Sequence, residues 1–153
     1  MVYPLTITID ITPLPLDVGS GAVIVGSPSA GGLACFVGTT RGMTAGGVGV
    51  ARLEFDAHVP LARAQLARAA AAAQVAAGGA LVGVYVAHRL GAVGVGEAAV
   101  VVWVSSPHRA EAIEGVRFMI DKLKESAPIW KREVLVDGTA SWRANSESGT
   151  CCG

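Results

Sequence analysis

The sequence has few charged residues and no excess of either sign. Only 16% of its 153 residues are charged, and 12 lysines and arginines balance 12 aspartates and glutamates. A neutral chain without a basic run lacks the electrostatic surface that attracts nucleic acid or an anionic membrane. We therefore expect neither as a partner. Any anion that the protein binds should be held by a local cluster of cations.

Long hydrophobic runs and a cysteine framework are also missing. The longest apolar stretch, residues 69–81, is interrupted by a glutamine and a glycine pair and falls short of the about 20 residues that a membrane-spanning helix needs. The first residues alternate instead of forming a basic flank and an apolar segment, so we expect no signal peptide. Three cysteines, Cys35, Cys151 and Cys152, do not make a disulfide framework. These absences predict a reduced, cytoplasmic protein.

Motifs for metals and nucleotides are not recognisable. The histidines at positions 58, 88 and 108 are not spaced like ligands on one element. The glycines at 47–49 precede a predicted strand, whereas a dinucleotide-binding fingerprint follows one. We therefore expect no metal and no cofactor.

Apolar runs, alternating or continuous, predict the strands. They cover residues 2–11, 21–25, 33–37, 48–56, 81–87 and 98–104. A turn at Asp137-Gly138, between apolar segments at 133–136 and 141–142, predicts a closing hairpin. Residues 13–20 and the glycine-rich stretch 41–47 are expected to be loops.

Two main helices are predicted from the positions of proline and glycine. Pro60 fits the first turn of a helix that runs to about Ala77, where two glycines end it. A second helix should start at Ser106-Pro107, with the serine hydroxyl as its cap, and should end before Pro128. Strands mixed with two helices predict one α+β or α/β domain with a mostly antiparallel sheet.

The second helix carries two cations in unusual positions. At about 100° per residue, one face is an apolar stripe made of Ala112, Ile113, Val116, Met119, Ile120, Leu123 and Ala127. Lys124 falls roughly 80° from the centre of this stripe, so its amine should lie at a rim and be able to give or accept a proton. Arg109 projects almost under the stripe and therefore needs an anionic partner or an exit to water.

Two interpretations of the helix start remain open. Free backbone N–H groups, together with His108 and Arg109, would suit an anion such as phosphate. Alternatively, Arg109 pairs with a carboxylate of the same chain, such as Glu97 or Glu54.

Two further clusters have simple structural interpretations. In residues 127–133, Trp130 would lie in the core beside solvated Lys131 and Arg132. His88 and Arg89 end a predicted strand, and local evidence favours a structural role over catalysis for them.

Several short motifs nevertheless occur together and in one order. They are FVGTTR at 36–41, LEFD at 53–56, HRLG at 88–91, VGE at 95–97, VSSPHR at 104–109, IDKLK at 120–124 and PIWKRE at 128–133. In this combination the stretch from about residue 21 to 145 resembles the large, catalytic subunit of molybdopterin synthase. Each motif alone is weak, but the ordered set is specific and favours functional roles over the local alternatives. Residues 1–20 are then an N-terminal extension and residues 146–153 a flexible tail.

The resemblance implies an α/β hammerhead fold and a central homodimer within a heterotetramer. Each end would bind a small ubiquitin-like sulfur-carrier subunit, whose Gly-Gly tail ends in a thiocarboxylate. Sulfur would pass twice from that tail to cyclic pyranopterin monophosphate and form the dithiolene of molybdopterin. Matched motif by motif, Lys124 and Lys131 would be catalytic, while Arg41, His108 and Arg109 would bind the substrate phosphate and compensate negative charge. The resemblance does not show which of these residues would come from the other protomer.

Two alternatives come from other classes of protein. The chain could be a non-catalytic module that only docks a ubiquitin-like Gly-Gly tail, or a phosphate-binding structural domain. Intact Lys124 and Lys131 argue against the docking module. The resemblance requires no catalytic cysteine, because the carrier brings the sulfur.

Overall fold

Two four-stranded sheets and three helices make up the part of the chain that the computed structural model describes, residues 1–144. In chain order the elements are β1 (Thr6–Thr12), α1 (Ser20–Val25), β2 (Gly32–Thr39), β3 (Val50–Ala57), α2 (Val59–Ala76), β4 (Gly83–Arg89), β5 (Gly91–Gly94), β6 (Ala98–Ser106), α3 (Arg109–Ser126), β7 (Ile129–Leu135) and β8 (Ala140–Ala144). The tail predicted at 146–153 lies outside these residues. No helix among residues 1–144 has both the length and the apolar character needed to cross a membrane.

Antiparallel pairing dominates both sheets. The first has the strand order β1-β4-β6-β2, and only the β1–β4 pair is parallel. The second has the order β5-β3-β7-β8 and is antiparallel throughout. The predicted α+β class, with its mostly antiparallel strands, is therefore confirmed. The segment 1–20, set apart above as an extension, contributes β1 to the first sheet.

The main core lies between the first sheet and the helices α2 and α3. Inward side chains of β4 and β6, among them Val86 and Val102, meet Leu66, Met119 and Leu123 of the helices, and all five are almost fully buried. On the opposite face of the sheet, α1 and the preceding loop pack against both strands. The continuous apolar run of β6 is therefore covered on both faces, as predicted.

Helix α2 packs closely on its neighbours because its inner face is built from alanine. Ala69, Ala70 and Ala73 are buried in the main core, where their small side chains add little apolar area but allow a short approach. On α3, Gly115 has the same role. A Cβ atom built there would lie 2.9 Å from Val104 Cγ1, so any larger residue would push the helix off the sheet.

The strand predicted at residues 21–25 is wrong, because these residues form helix α1. A helical turn places Gly21 and Val25 on one buried side, while Val23 points outward and is 84% exposed. A Cβ atom on Gly21 would lie 2.0 Å from Trp103 Cδ1, so the glycine lets α1 sit directly on the indole ring. The apolar run is too short for its periodicity to separate a helix from a strand.

The cap predicted for the second helix is also wrong. Ser106 is the last residue of β6 and is buried, and Pro107 precedes the helix instead of occupying its first turn. Helix α3 begins at Arg109 with His108 as its N-cap, and no side chain caps it by a hydrogen bond. The pairing of Ser106 with Gly32 of β2 holds the serine in the sheet. The end of α3 before Pro128 and the hairpin of β7 and β8 are confirmed; the short strand β5 was not predicted.

Candidate active site

A cavity of about 120 Å³ lies where the C-terminal end of α3 meets both sheets. Three of the predicted site residues, Arg41, Lys124 and Lys131, line it together. His88 and Glu133 also contribute to its wall. The cavity therefore gathers cations from a loop, a helix and a strand that are far apart in the sequence.

Each of the three cations is anchored by a buried neighbour or by strand pairing. Arg41 follows Thr40, which is buried. The Thr40 hydroxyl donates to the Val93 carbonyl (3.3 Å), and the Thr40 backbone N–H donates to the Glu97 carbonyl (3.1 Å). Lys124 is in the last turn of α3, directly after the buried Leu123. Lys131 lies opposite Phe55 in the β3–β7 ladder, which places it on the inner face of the second sheet.

His88 is the most deeply buried polar side chain of this cavity, with 1% exposure. Its Nδ1 lies 2.9 Å from the Arg89 carbonyl oxygen, and its ring makes an edge contact with Phe55 at 4.9 Å between centroids. Burial lowers the pKa of His88 from 6.5 to about 4, and the nearby charge of Lys124 acts in the same direction, whereas the hydrogen bond to Arg89 acts against it. At neutral pH the imidazole is therefore uncharged.

The other two predicted site residues lie at the opposite end of α3. From residue 109 to residue 124 the helix rises about 22 Å, at about 1.5 Å per residue. His108 and Arg109 are both exposed to solvent and are not part of the cavity wall. One chain thus presents two cationic groups, one at each end of the helix, and does not bring all five residues together.

Arg109 neither lies under the apolar stripe nor uses the carboxylates suggested for it. It is exposed, because β2 packs against the backbone at the start of α3 and leaves this side chain outside. Glu97 pairs instead with Arg89 at 3.2 Å. Glu54 pairs with Arg52 at 2.7 Å and with Arg132 at 3.5 Å. Neither of the two suggested carboxylates therefore pairs with Arg109, and the anion-binding interpretation of the helix start stays a prediction.

Two predicted core positions are exposed instead. Ile113, assigned to the apolar stripe, is 57% exposed, and Trp130, expected in the core, is 43% exposed. Trp130 alternates with the inward-facing Ile129 and Lys131 along β7, so it points to the outer face of the second sheet. Because Lys131 faces inward, it is a cavity residue and not the solvated charge of the local interpretation.

His88 and Glu133 were not predicted as members of this cavity. The signal for His88 was present in β4, where Val84, Val86 and His88 share one face of the strand. Since the two valines belong to the main core, the histidine must also lie beneath α3. Glu133 shares its strand face with Lys131 by the same rule, but the sequence does not show that this face meets the end of α3.

Comparison with known proteins shows the family to which this chain belongs. The profile of the MoaE protein family matches residues 11–126. The chain belongs to the MoaE family. Among relatives, it is 44% identical to the molybdopterin synthase catalytic subunit of Arabidopsis thaliana, over 80% of this chain and 60% of that one. It is 39% identical to the subunit of the same name from Rattus norvegicus, over 91% of this chain and 68% of that one.

The fold of this MoaE-family chain is also that of a solved structure. The crystal structure of molybdopterin synthase from Staphylococcus aureus superposes with a TM-score of 0.81 at 28% identity, covering 88% of this chain and 95% of that one. The molecule therefore has the architecture of its family. The matched stretch spans about 60% of the length of the Arabidopsis relative.

Proposed function

We propose that this chain is the catalytic subunit of a molybdopterin synthase. It would transfer sulfur from the C-terminal thiocarboxylate of a small ubiquitin-like carrier to cyclic pyranopterin monophosphate and so form the molybdopterin dithiolene. The observation that carries the proposal is the single cavity shared by Arg41, Lys124 and Lys131. The names of the relatives support the same activity. The cytoplasmic location remains a prediction.

The proposed chemistry requires no sulfur from the chain itself. The thiocarboxylate sulfur attacks a carbon of the precursor and forms a thioester, while the oxygen that this carbon carried is displaced and takes up a proton. Water then cleaves the acyl–sulfur bond. The carrier leaves as a carboxylate and the sulfur stays on the pterin, so two carriers are used for each dithiolene. Partial burial raises the pKa of the Cys35 thiol, which disfavours a thiolate there.

The cations suit the charges that such a transfer creates. Arg41 would compensate the negative thiocarboxylate through charge-assisted hydrogen bonds. Lys124 would move the proton as the acyl group leaves, and Lys131 would stabilise the oxyanion that develops on the acyl oxygen. All three act from the cavity wall, where a preorganised donor is worth more than it is in water.

The small cavity and the separation of the two cationic groups along α3 together support a site completed by a second protomer. Small-molecule pockets usually measure about 300–1,000 Å³, so a cavity of about 120 Å³ suits the narrow Gly-Gly end of a carrier tail better than a whole pterin. The precursor would then lie at the mouth, with its phosphate on His108 and Arg109 of the other chain of a homodimer. This arrangement would unite the two cationic groups that α3 separates within one chain.

The test is synthesis of the dithiolene from purified components. The chain is incubated with a thiocarboxylated carrier and the cyclic precursor, and the product is detected by its oxidised fluorescent derivative. We expect product from the wild type, a loss of about 10²–10⁴-fold in Lys124→Ala, and nearly unchanged activity in Lys122→Ala. Lys122 is a matched control on the same helix, because it points outward and pairs with Glu125.

Two outcomes would contradict the proposal. Near-normal turnover by Lys124→Ala would remove the lysine from the mechanism. Binding of the carrier by the wild type without any conversion of the precursor would favour the non-catalytic docking module instead.

A further inference from the structure

His88 forms part of the cavity wall but has no role in the sulfur transfer described above. It is the last residue but one of β4, with 1% exposure, and it lines the same cavity as Lys124 and Lys131. A buried histidine in the core of a small domain commonly serves packing alone. Its hydrogen bond, its charge state and its neighbours together indicate more than packing.

The hydrogen bond fixes which ring nitrogen carries the proton. A carbonyl oxygen can only accept, so the 2.9 Å contact with the Arg89 carbonyl requires a proton on Nδ1. Because burial keeps the ring neutral at pH 7, with a pKa of about 4, that proton is the only one on the imidazole. Nε2 therefore carries a lone pair and is able to accept a hydrogen bond.

The charged groups around the ring favour this state. Arg41, Lys124 and Lys131 reach the cavity from three elements, and Glu133 is the carboxylate among its wall residues. The neighbouring Arg89 turns its guanidinium to Glu97. The surroundings are thus net cationic, so a second proton on His88 would be repelled, whereas a bare acceptor is attracted to an ammonium group.

We propose that His88 is a positioning residue for Lys124. Its Nε2 lone pair accepts a hydrogen bond from the Lys124 ammonium group, while the Arg89 carbonyl fixes the orientation of the ring. A lysine has a flexible stem with three freely rotating donors, so a rigid acceptor in the same cavity would select one position of the amine. The proposal rests on the function proposed above, because it assigns His88 to the step in which Lys124 moves a proton.

Two amide variants separate the acceptor from the packing role. In His88→Gln the amide reaches the position of Nε2 and restores an acceptor, while in His88→Asn it reaches the position of Nδ1 and restores only the bond to Arg89. We expect kcat of the glutamine variant to stay within about threefold of the wild type and kcat of the asparagine variant to fall by about 10²-fold, as for a catalytic group displaced by about 1 Å. The KM for the carrier should stay unchanged in both. Equal losses in the two variants, or a larger loss in His88→Gln, would overturn the proposal.

A second measurement needs no substrate and no activity of a variant. The ring nitrogens of His88 are observed by ¹⁵N NMR of the wild-type chain at pH 7, with His88→Gln used only to assign the signals. A protonated Nδ1 and an unprotonated Nε2 are expected, and the reverse tautomer or a charged ring would refute the positioning role. Failure of the proposed function has a different signature, since the wild type would then form no dithiolene whatever the tautomer.

Discussion

Acidification should weaken the fold of this chain through His88. Burial lowers the pKa of His88 from 6.5 to about 4. At a pH between these two values the unfolded chain therefore binds a proton at this residue and the folded chain does not. The contribution to stability is complete above pH 6.5. It then falls by about 1.4 kcal/mol for each pH unit until about pH 4, which amounts to about 3 kcal/mol in total.

Urea denaturation at a series of pH values between 7.5 and 4 measures this loss. The free energy of unfolding of the wild type is compared with that of His88→Gln, which has no imidazole to titrate. Aspartates and glutamates titrate in both proteins, so the difference between the two curves isolates His88. We expect the wild type to lose its advantage over the variant by about 3 kcal/mol as the pH falls. A difference that stays constant over this range would refute the buried, neutral histidine.

Two further predictions concern the core and the helix start. Met119→Ala should lower the free energy of unfolding by about 2–5 kcal/mol, because the side chain is fully buried in the main core. The exposed Ile113, on the same helix, should tolerate alanine within about 0.5 kcal/mol, and equal losses would contradict the assigned packing. Arg109→Ala should raise the KM for the cyclic precursor about tenfold to a hundredfold, as expected for a lost bond of about 1.5–3 kcal/mol to a charged group. Arg117→Ala, also exposed on α3, should leave that KM unchanged, and a matching rise there would point to general electrostatics instead.

Most of the fold could be predicted because its elements have strong periodic signals. The valines of β4 and β6 mark strands buried beneath two helices, and Pro60 and Pro128 mark where helices begin or must already have ended. The strand predicted at residues 21–25 was wrong for a physical reason. Six residues allow little more than one helical turn, so the choice between helix and strand depends on packing against Trp103, which no local pattern contains.

The site was only partly predictable for a similar reason. Motif matching selected Arg41, Lys124 and Lys131, and the fold brings these three into one cavity. His108 and Arg109 lie at the other end of α3, since residues 109 and 124 are about 22 Å apart, and motif matching could not tell which protomer supplies each residue of one site. Trp130 shows another limit of sequence analysis. Alternation separates the two faces of β7, but the sequence alone does not show which face points inward.

Mixing the Lys124→Ala and Arg109→Ala variants, assayed at a precursor concentration far below the KM so that each variant alone is slow, tests the composite site most directly. If Lys124 of one protomer works with Arg109 of the other, a dimer of one Lys124→Ala chain and one Arg109→Ala chain contains one site with both residues intact and one with neither. After unfolding and refolding an equal mixture, we predict recovery of dithiolene synthesis to roughly a quarter of the wild-type rate, because about half of randomly paired dimers are mixed and each has one working site of two. A mixture no more active than its separate components would contradict a site shared between protomers.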